Sequence, residues 1–267
     1  MLVKLLGYEF YKKWRVSKNI LGGFIVLQVL LLTITRIFLG HDATKMVTEL
    51  GNINNGPNGS FTFGIITLLY FGIAVGIFFL PLIENVYRFE KDLSGKQAVL
   101  ELMIPIIAWK KILSKLIVML ISTIVIQMIS ALSIMVYILV NSNFNKVIVD
   151  SILNNARIII SSPGKSFFVA LYAIYILALI YILVMFCIAF SKSITHKNRI
   201  AVPIGMGMFI ACMAVFIVAA TQIVKFPIVE FDLFGIEESL SGLLFVLLYG
   251  GSLFLGASFL MEKRIEN

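Results

Sequence analysis

ENVYRFEKDLSGKQAVLELMIPIIAWKKILSK, residues 84–115, is the stretch on which the reading of this chain turns. It lies between two hydrophobic runs, each long enough to cross a bilayer, and carries Arg88, Lys91, Lys96, Lys110, Lys111 and Lys115. Within it, Ser94 followed by Gln97 fits a capping box, in which side chains satisfy free backbone donors at a helix start. An apolar segment follows through Ala98, Val99, Leu100, Leu102, Met103 and Ile104 until Pro105, which breaks a helix by its ring and its missing N–H. Gln97 and Glu101, one turn apart, form a narrow polar stripe. Such a helix is too short to cross a membrane and too apolar to stay in water. Two placements remain open: it lies flat in the headgroup layer, or it docks a soluble partner.

The rest of the chain sets the context. It has 267 residues, is 60% hydrophobic and 13% charged, and has a mean hydropathy of +1.01. Soluble domains are about 45–50% apolar and about 25% charged, so lipid must cover part of this surface. A helix needs about 20 apolar residues to cross the bilayer core. Six runs qualify: residues 20–39, 61–83, 116–140, 167–190, 200–224 and 240–260. The expectation is an all-α polytopic protein with six transmembrane helices in a single transmembrane domain.

Sixteen of the 22 Lys and Arg residues fall in segments 1–19, 84–115, 191–199 and 261–267, which lie on one side of the bilayer. Lys and Arg collect on the cytoplasmic side, so both termini are expected inside, in a plasma membrane. Trp14 and Trp109 sit at that same boundary, where an amphipathic ring is favoured. The net charge of +8 is spread over short loops, the pattern of a topology signal and not of a nucleic-acid interface. The Ile-, Lys- and Asn-rich composition suits a low-GC bacterium. The first apolar run starts too late, and lacks the small residues, for a cleavable signal peptide.

Outside the spans, Val3, Leu6, Phe10 and Trp14 recur at helical spacing, which predicts an N-terminal interfacial amphipathic helix over residues 1–19. Residues 144–160 predict a short helix on the outer surface. Residues 225–239 mix apolar side chains with Glu230, Asp232, Glu237 and Glu238 and are expected to dip toward the membrane.

The pattern Arg88-x-Glu90-x-x-x-Ser94-Gly95-Lys96-x-x-x-Leu100-x-Leu102-Met103-x-Pro105, then Lys110 and Ser114-Lys115-Leu116, resembles the coupling-helix region of type-2 ATP-binding-cassette permeases. The whole chain is similar to the short six-span members found in peptide-toxin and antibiotic export. It departs at Ile106-Ile107-Ala108-Trp109, where many members have a Ser/Thr-Arg pair after the proline. The resemblance implies a cytoplasmic coupling helix between spans 2 and 3. It implies ATPase-partner docking through Ser94, Gln97, Ala98, Val99, Glu101, Leu102, Met103 and Pro105. It further implies a second permease chain, identical or different, and a soluble nucleotide-binding subunit that holds ATP and Mg. This chain would bind no cofactor directly and would not itself be an enzyme.

The residues agree with that division of labour. The closest match to a phosphate-binding loop, Gly164-Lys165-Ser166, has Ile159 where the first glycine belongs. His41 and His196 fall on opposite sides of the membrane and cannot share a metal or a proton. Asp, Glu and Lys are absent from the middle of every span, unlike carriers coupled to ions near the midplane. Gln127 in the third span serves as interhelical glue or lines a path, and Gly72-x-x-x-Gly76 is a common packing device.

Flexible thioethers and aromatic rings suit a surface that takes varied apolar ligands. By that criterion Tyr70, Phe71, Phe78, Met206, Phe209, Met213 and Phe216 are candidate path residues, and Gln127 joins them as a polar group within the third span. Plain packing against lipid or a neighbouring helix is the other reading of each. The leading expectation is the permease subunit of an ATP-driven exporter of a hydrophobic or amphipathic substrate, such as a toxic peptide or an antibiotic. The alternatives are a membrane immunity or binding protein that needs no ATP, and a secondary carrier.

Overall fold

The computed structural model describes residues 2–39, 59–93, 107–141, 144, 146–195, 198–225, 230–232 and 237–262. They form seven helices and one small ribbon: α1 (Leu2–Leu39), α2 (Gly59–Asp92), α3 (Ala108–Asn141), α4 (Lys146–Ser161), α5 (Pro163–Ile194), α6 (Asn198–Lys225), strands β1 (Glu230–Asp232) and β2 (Glu237–Ser239), and α7 (Leu240–Leu260). All except α4 are long and apolar enough to cross a membrane, which makes six candidate spans. At about 1.5 Å per residue, the shortest of these spans, Ser241–Leu260, covers about 30 Å, the thickness of a hydrocarbon core.

The surface is what a lipid solvent requires. Leu68, Leu248, Leu255 and Ile210 are each more than 60% exposed. The polar groups Gln28, Asn85, Thr123, Ser130 and Lys192 are buried instead. A helix in hydrocarbon satisfies its own backbone, so polar side chains are best placed facing other helices.

The N-terminal segment expected over residues 1–19 and the first span belong to one helix. Nothing between residues 2 and 39 stops a helix, and α1 runs through unbroken. In its first half Val3, Phe10 and Trp14 are exposed, as are Lys4 and Arg15, while Leu5, Lys13 and Ser17 are buried. Charged residues do not end the neighbouring helices either. α2 continues past Ile83 to Asp92, and α3 starts at Ala108, before the lipid-crossing run begins.

The described chain divides into two compact units. The first comprises residues 1–9, 83–120 and 162–267, and in it α5 packs against α6 and α7. Pro163 opens α5, where its missing N–H costs nothing. Leu183, Cys187, Cys212 and Leu253 form the core, with Phe186, Met208 and Tyr249 against it. The Tyr249 hydroxyl donates to the Cys212 carbonyl at 2.8 Å. The Asn85 amide donates to the Tyr181 hydroxyl at 2.7 Å, and both side chains are fully buried. α7 approaches α5 closely at Gly256, where an added Cβ would stand 2.9 Å from the Phe186 ring.

The second unit comprises residues 10–82 and 121–161. Its centre is a polar and aromatic knot. The Tyr70 and Tyr137 rings stack at 3.7 Å, and the Tyr70 hydroxyl donates to the Ser133 carbonyl at 2.9 Å. The Ser133 hydroxyl bonds Gln28 on α1, and the Lys13 ammonium reaches Ser122. α4 is a helix, as the sequence predicts for that region, and it buries none of its residues.

The sequence gives no secondary-structure expectation for residues 225–239. The described residues there form a two-stranded antiparallel ribbon in which Glu230 pairs with Ser239, Phe231 with Glu238 and Asp232 with Glu237.

Candidate functional site

One groove in the first unit gathers residues from three helices, and each contributes a single face. Val86 and Glu90 stand one turn apart on α2. Val184, Cys187, Ile188, Ser191 and Lys192 follow i, i+3, i+4, i+7, i+8 spacing on α5. On α6, Ala201, Val202, Gly205, Met206, Phe209 and Ile210 form the third wall. The enclosed space is about 280 Å³, at the lower edge of ligand-sized cavities.

The walls are apolar except at one end. There the Lys192 ammonium lies 3.6 Å from the Glu90 carboxylate. The Lys192 side chain is 3% exposed and that of Glu90 is 31% exposed, so the cation sits deep and the anion faces outward. Ser191 returns its hydroxyl to the Ile188 carbonyl at 2.9 Å, within its own helix. α6 faces α5 at Gly205, where an added Cβ would make ordinary contacts with Ser191 and Cys187 at 3.5–3.7 Å. Lys192 belongs to the last turn of α5, where the helix dipole favours a positive charge.

A second constellation borders residues 94–106. The Lys115 ammonium pairs with Asp92 and lies 2.9 Å from the Glu9 carboxylate. All three side chains are nearly buried, at 8%, 8% and 12% exposure. Arg88, one turn before Asp92, pairs with Glu84 at 3.0 Å. Asp92 and Lys115 therefore tie the end of α2 to the start of α3, and Glu9 adds the beginning of α1.

The candidate residues are distributed as follows. Met206 and Phe209 line the groove. Phe216 lies apart from that lining, stacked on Phe245 and against Tyr249, and Met213 is exposed. Tyr70 is fully buried in the knot of the second unit, with Phe71 edge-on to both tyrosines. Phe78 is exposed beside Phe79, and Gln127 is half-buried on α3. Ser94, Gln97, Ala98, Val99, Glu101, Leu102, Met103 and Pro105 lie outside the described residues. Gly72 and Gly76 face open space.

Sequence reasoning did not single out Glu90 as a groove residue or Lys192 as its partner. Their pairing joins two helices far apart in the chain. The recoverable signal was spacing: Ser191-Lys192 continues the same helical face as Val184, Cys187 and Ile188. Among the described residues, no three His, Cys, Asp or Glu side chains come together as metal ligands would.

The chain matches no protein-family model, and no curated protein and no solved structure is similar to it.

Proposed function

We propose that this chain is the membrane-spanning subunit of an ATP-driven exporter, energised by a separate cytoplasmic nucleotide-binding subunit and working with a second permease chain. The observation that carries the reading is the Asp92–Lys115–Glu9 cluster. It ties the end of α2 to the start of α3 and to the beginning of α1, the described helices that precede and follow residues 94–106 in the chain. A coupling segment in that stretch would act on helices held together in this way. The motif over Arg88–Lys115 supports the same assignment.

The groove supplies the ligand side of the reading. Its walls are apolar, one end is polar, and it contains Met206 and Phe209. Such a site accepts hydrophobic or amphipathic molecules. Both termini and the 84–115 segment are cytoplasmic in this scheme.

The test is the double variant Leu102→Asp with Met103→Asp, made in tagged protein and recovered from its native membrane. Unchanged membrane insertion with loss of a co-purifying soluble ATPase is the expected result. Retention of that ATPase by the variant would sink the docking assignment.

A further inference from the structure

We infer that α4 lies along the membrane surface, with its apolar face sunk into the leaflet on the side where α3 ends and α5 begins. The occupant of that face is phospholipid. The inference rests on α3 and α5 crossing a membrane, and it requires no ATPase.

α4, Lys146–Ser161, is two-faced in sequence. At about 100° per residue, Ile148, Val149, Ile152, Leu153, Ala156 and Ile160 share an arc of about 140°. Lys146, Asp150, Asn154, Arg157 and Ser161 share a separate arc of about 80°. Val147, Ser151, Asn155 and Ile158 fill one flank between the two. None of the described α4 residues is buried, and on the apolar arc Leu153 is 58% and Ile160 76% exposed.

Such a helix does not hold itself in water. It has 16 residues, among them seven of the β-branched Val and Ile type and two adjacent asparagines. Isolated helices of that length are marginal in water even when rich in alanine, and these residues are weaker helix formers. A surface against the apolar arc must supply the difference.

The two connections identify that surface. The span in α3 ends at Val140. The Phe144 N–H then donates to the Leu139 carbonyl at 3.0 Å, which folds the chain back on the last turn of α3 just before α4 starts. At the other end, Pro163 opens α5 two residues after Ser161, and the apolar run of that span begins at Phe167. Residues 161–167 therefore reach at most about 13 Å, whereas α4 is about 24 Å long. Standing upright, α4 would carry Ser161 too far from the hydrocarbon for α5 to re-enter it. Its axis lies nearer the membrane plane than the normal, with both ends at headgroup level. There the apolar arc meets acyl chains, while Lys146 and Arg157, about 20° apart on the wheel, meet lipid phosphates.

The experiment uses the full chain in phospholipid nanodiscs holding one copy each, with Cys187→Ala and Cys212→Ala as background. Leu153→Cys, Ile160→Cys, Asp150→Cys and Asn154→Cys are made singly and labelled with an environment-sensitive fluorophore. All four positions are exposed, so the label disturbs no core. One quencher is phosphatidylcholine with a nitroxide high on its acyl chain, and the other is aqueous iodide. The lipid nitroxide should quench the labels at Leu153 and Ile160 at least about twofold more than those at Asp150 and Asn154, with the order reversed for iodide, as for a helix half sunk in a leaflet.

Equal iodide quenching at all four positions would place the helix in water and overturn the inference. Equal nitroxide quenching at all four would place it inside the hydrocarbon, with the same consequence. Nitroxide quenching at Leu153 and Ile160 that vanishes in discs holding two copies would show that a second chain covers the face, which also overturns it. Each of these outcomes leaves the exporter reading standing, because that reading is decided by the ATPase partner.

Discussion

Replacing Lys115 with Met removes a charge while keeping most of the side chain's volume. Lys115 pairs with both Asp92 and Glu9, and the three side chains are 8–12% exposed. Its loss takes a positive charge away from two carboxylates in a site largely closed to water. Removing one partner of a buried ion pair costs about 3–5 kcal/mol, because the remaining charge is uncompensated. At about 2–4 °C per kcal/mol for soluble chains of comparable size, the melting midpoint should fall by on the order of 10 °C. The protein carries its own reporter. Cys187 and Cys212 are free thiols, 4% and 9% exposed; with Cys187, which lines the groove, replaced by Ala in every variant, reaction of Cys212 with a thiol dye reports unfolding. The triple variant Lys115→Met, Asp92→Asn, Glu9→Gln removes all three charges and should recover most of the loss. A single variant that melts like the wild type would show that the cluster is solvated and holds nothing together. A triple variant no better than the single one would show that the loss came from packing, which also refutes the reasoning.

Gly256→Leu forces a side chain into the Phe186 ring and should cost about 1–3 kcal/mol by overpacking in the same dye assay, with Gly256→Ala falling between it and the wild type. Phe144 has φ of +54° and is 62% exposed, so Phe144→Gly should relieve about 1 kcal/mol of left-handed strain and raise the midpoint. Tyr70→Phe deletes the hydroxyl that donates to the Ser133 carbonyl and should cost about 1 kcal/mol, an effect that persists when Ser133→Ala is already present because that variant keeps the carbonyl.

Hydropathy located all six candidate spans because lipid demands long unbroken apolar runs. It misplaced helix ends because it marks where lipid stops and not where the backbone stops coiling. Arg88, Lys91, Lys110 and Lys111 end the hydrophobic runs yet are good helix formers, so α2 reaches Asp92 and α3 begins at Ala108. The same reasoning explains α1, where Lys18 and Asn19 interrupt hydrophobicity without a capping signal or a proline. The ribbon at Glu230–Ser239 was invisible because strands of three residues carry no readable alternation.

Of the groove, Met206 and Phe209 could be picked out by residue type. Glu90, Lys192 and Gly205 could not, since each matters through a neighbour on another helix. Lys115 is the sharpest case. Its position beside a span counted as a topology signal, and the same position lets it reach Asp92 and Glu9.

The central claim is that a soluble ATPase drives this chain, and a mild-detergent pull-down of tagged protein from its native membrane tests it most directly. With co-purifying proteins identified by mass spectrometry, the account predicts a nucleotide-binding ATPase recovered in a one-to-one ratio with the chain. Recovery of the chain alone, or with membrane proteins only, would contradict it.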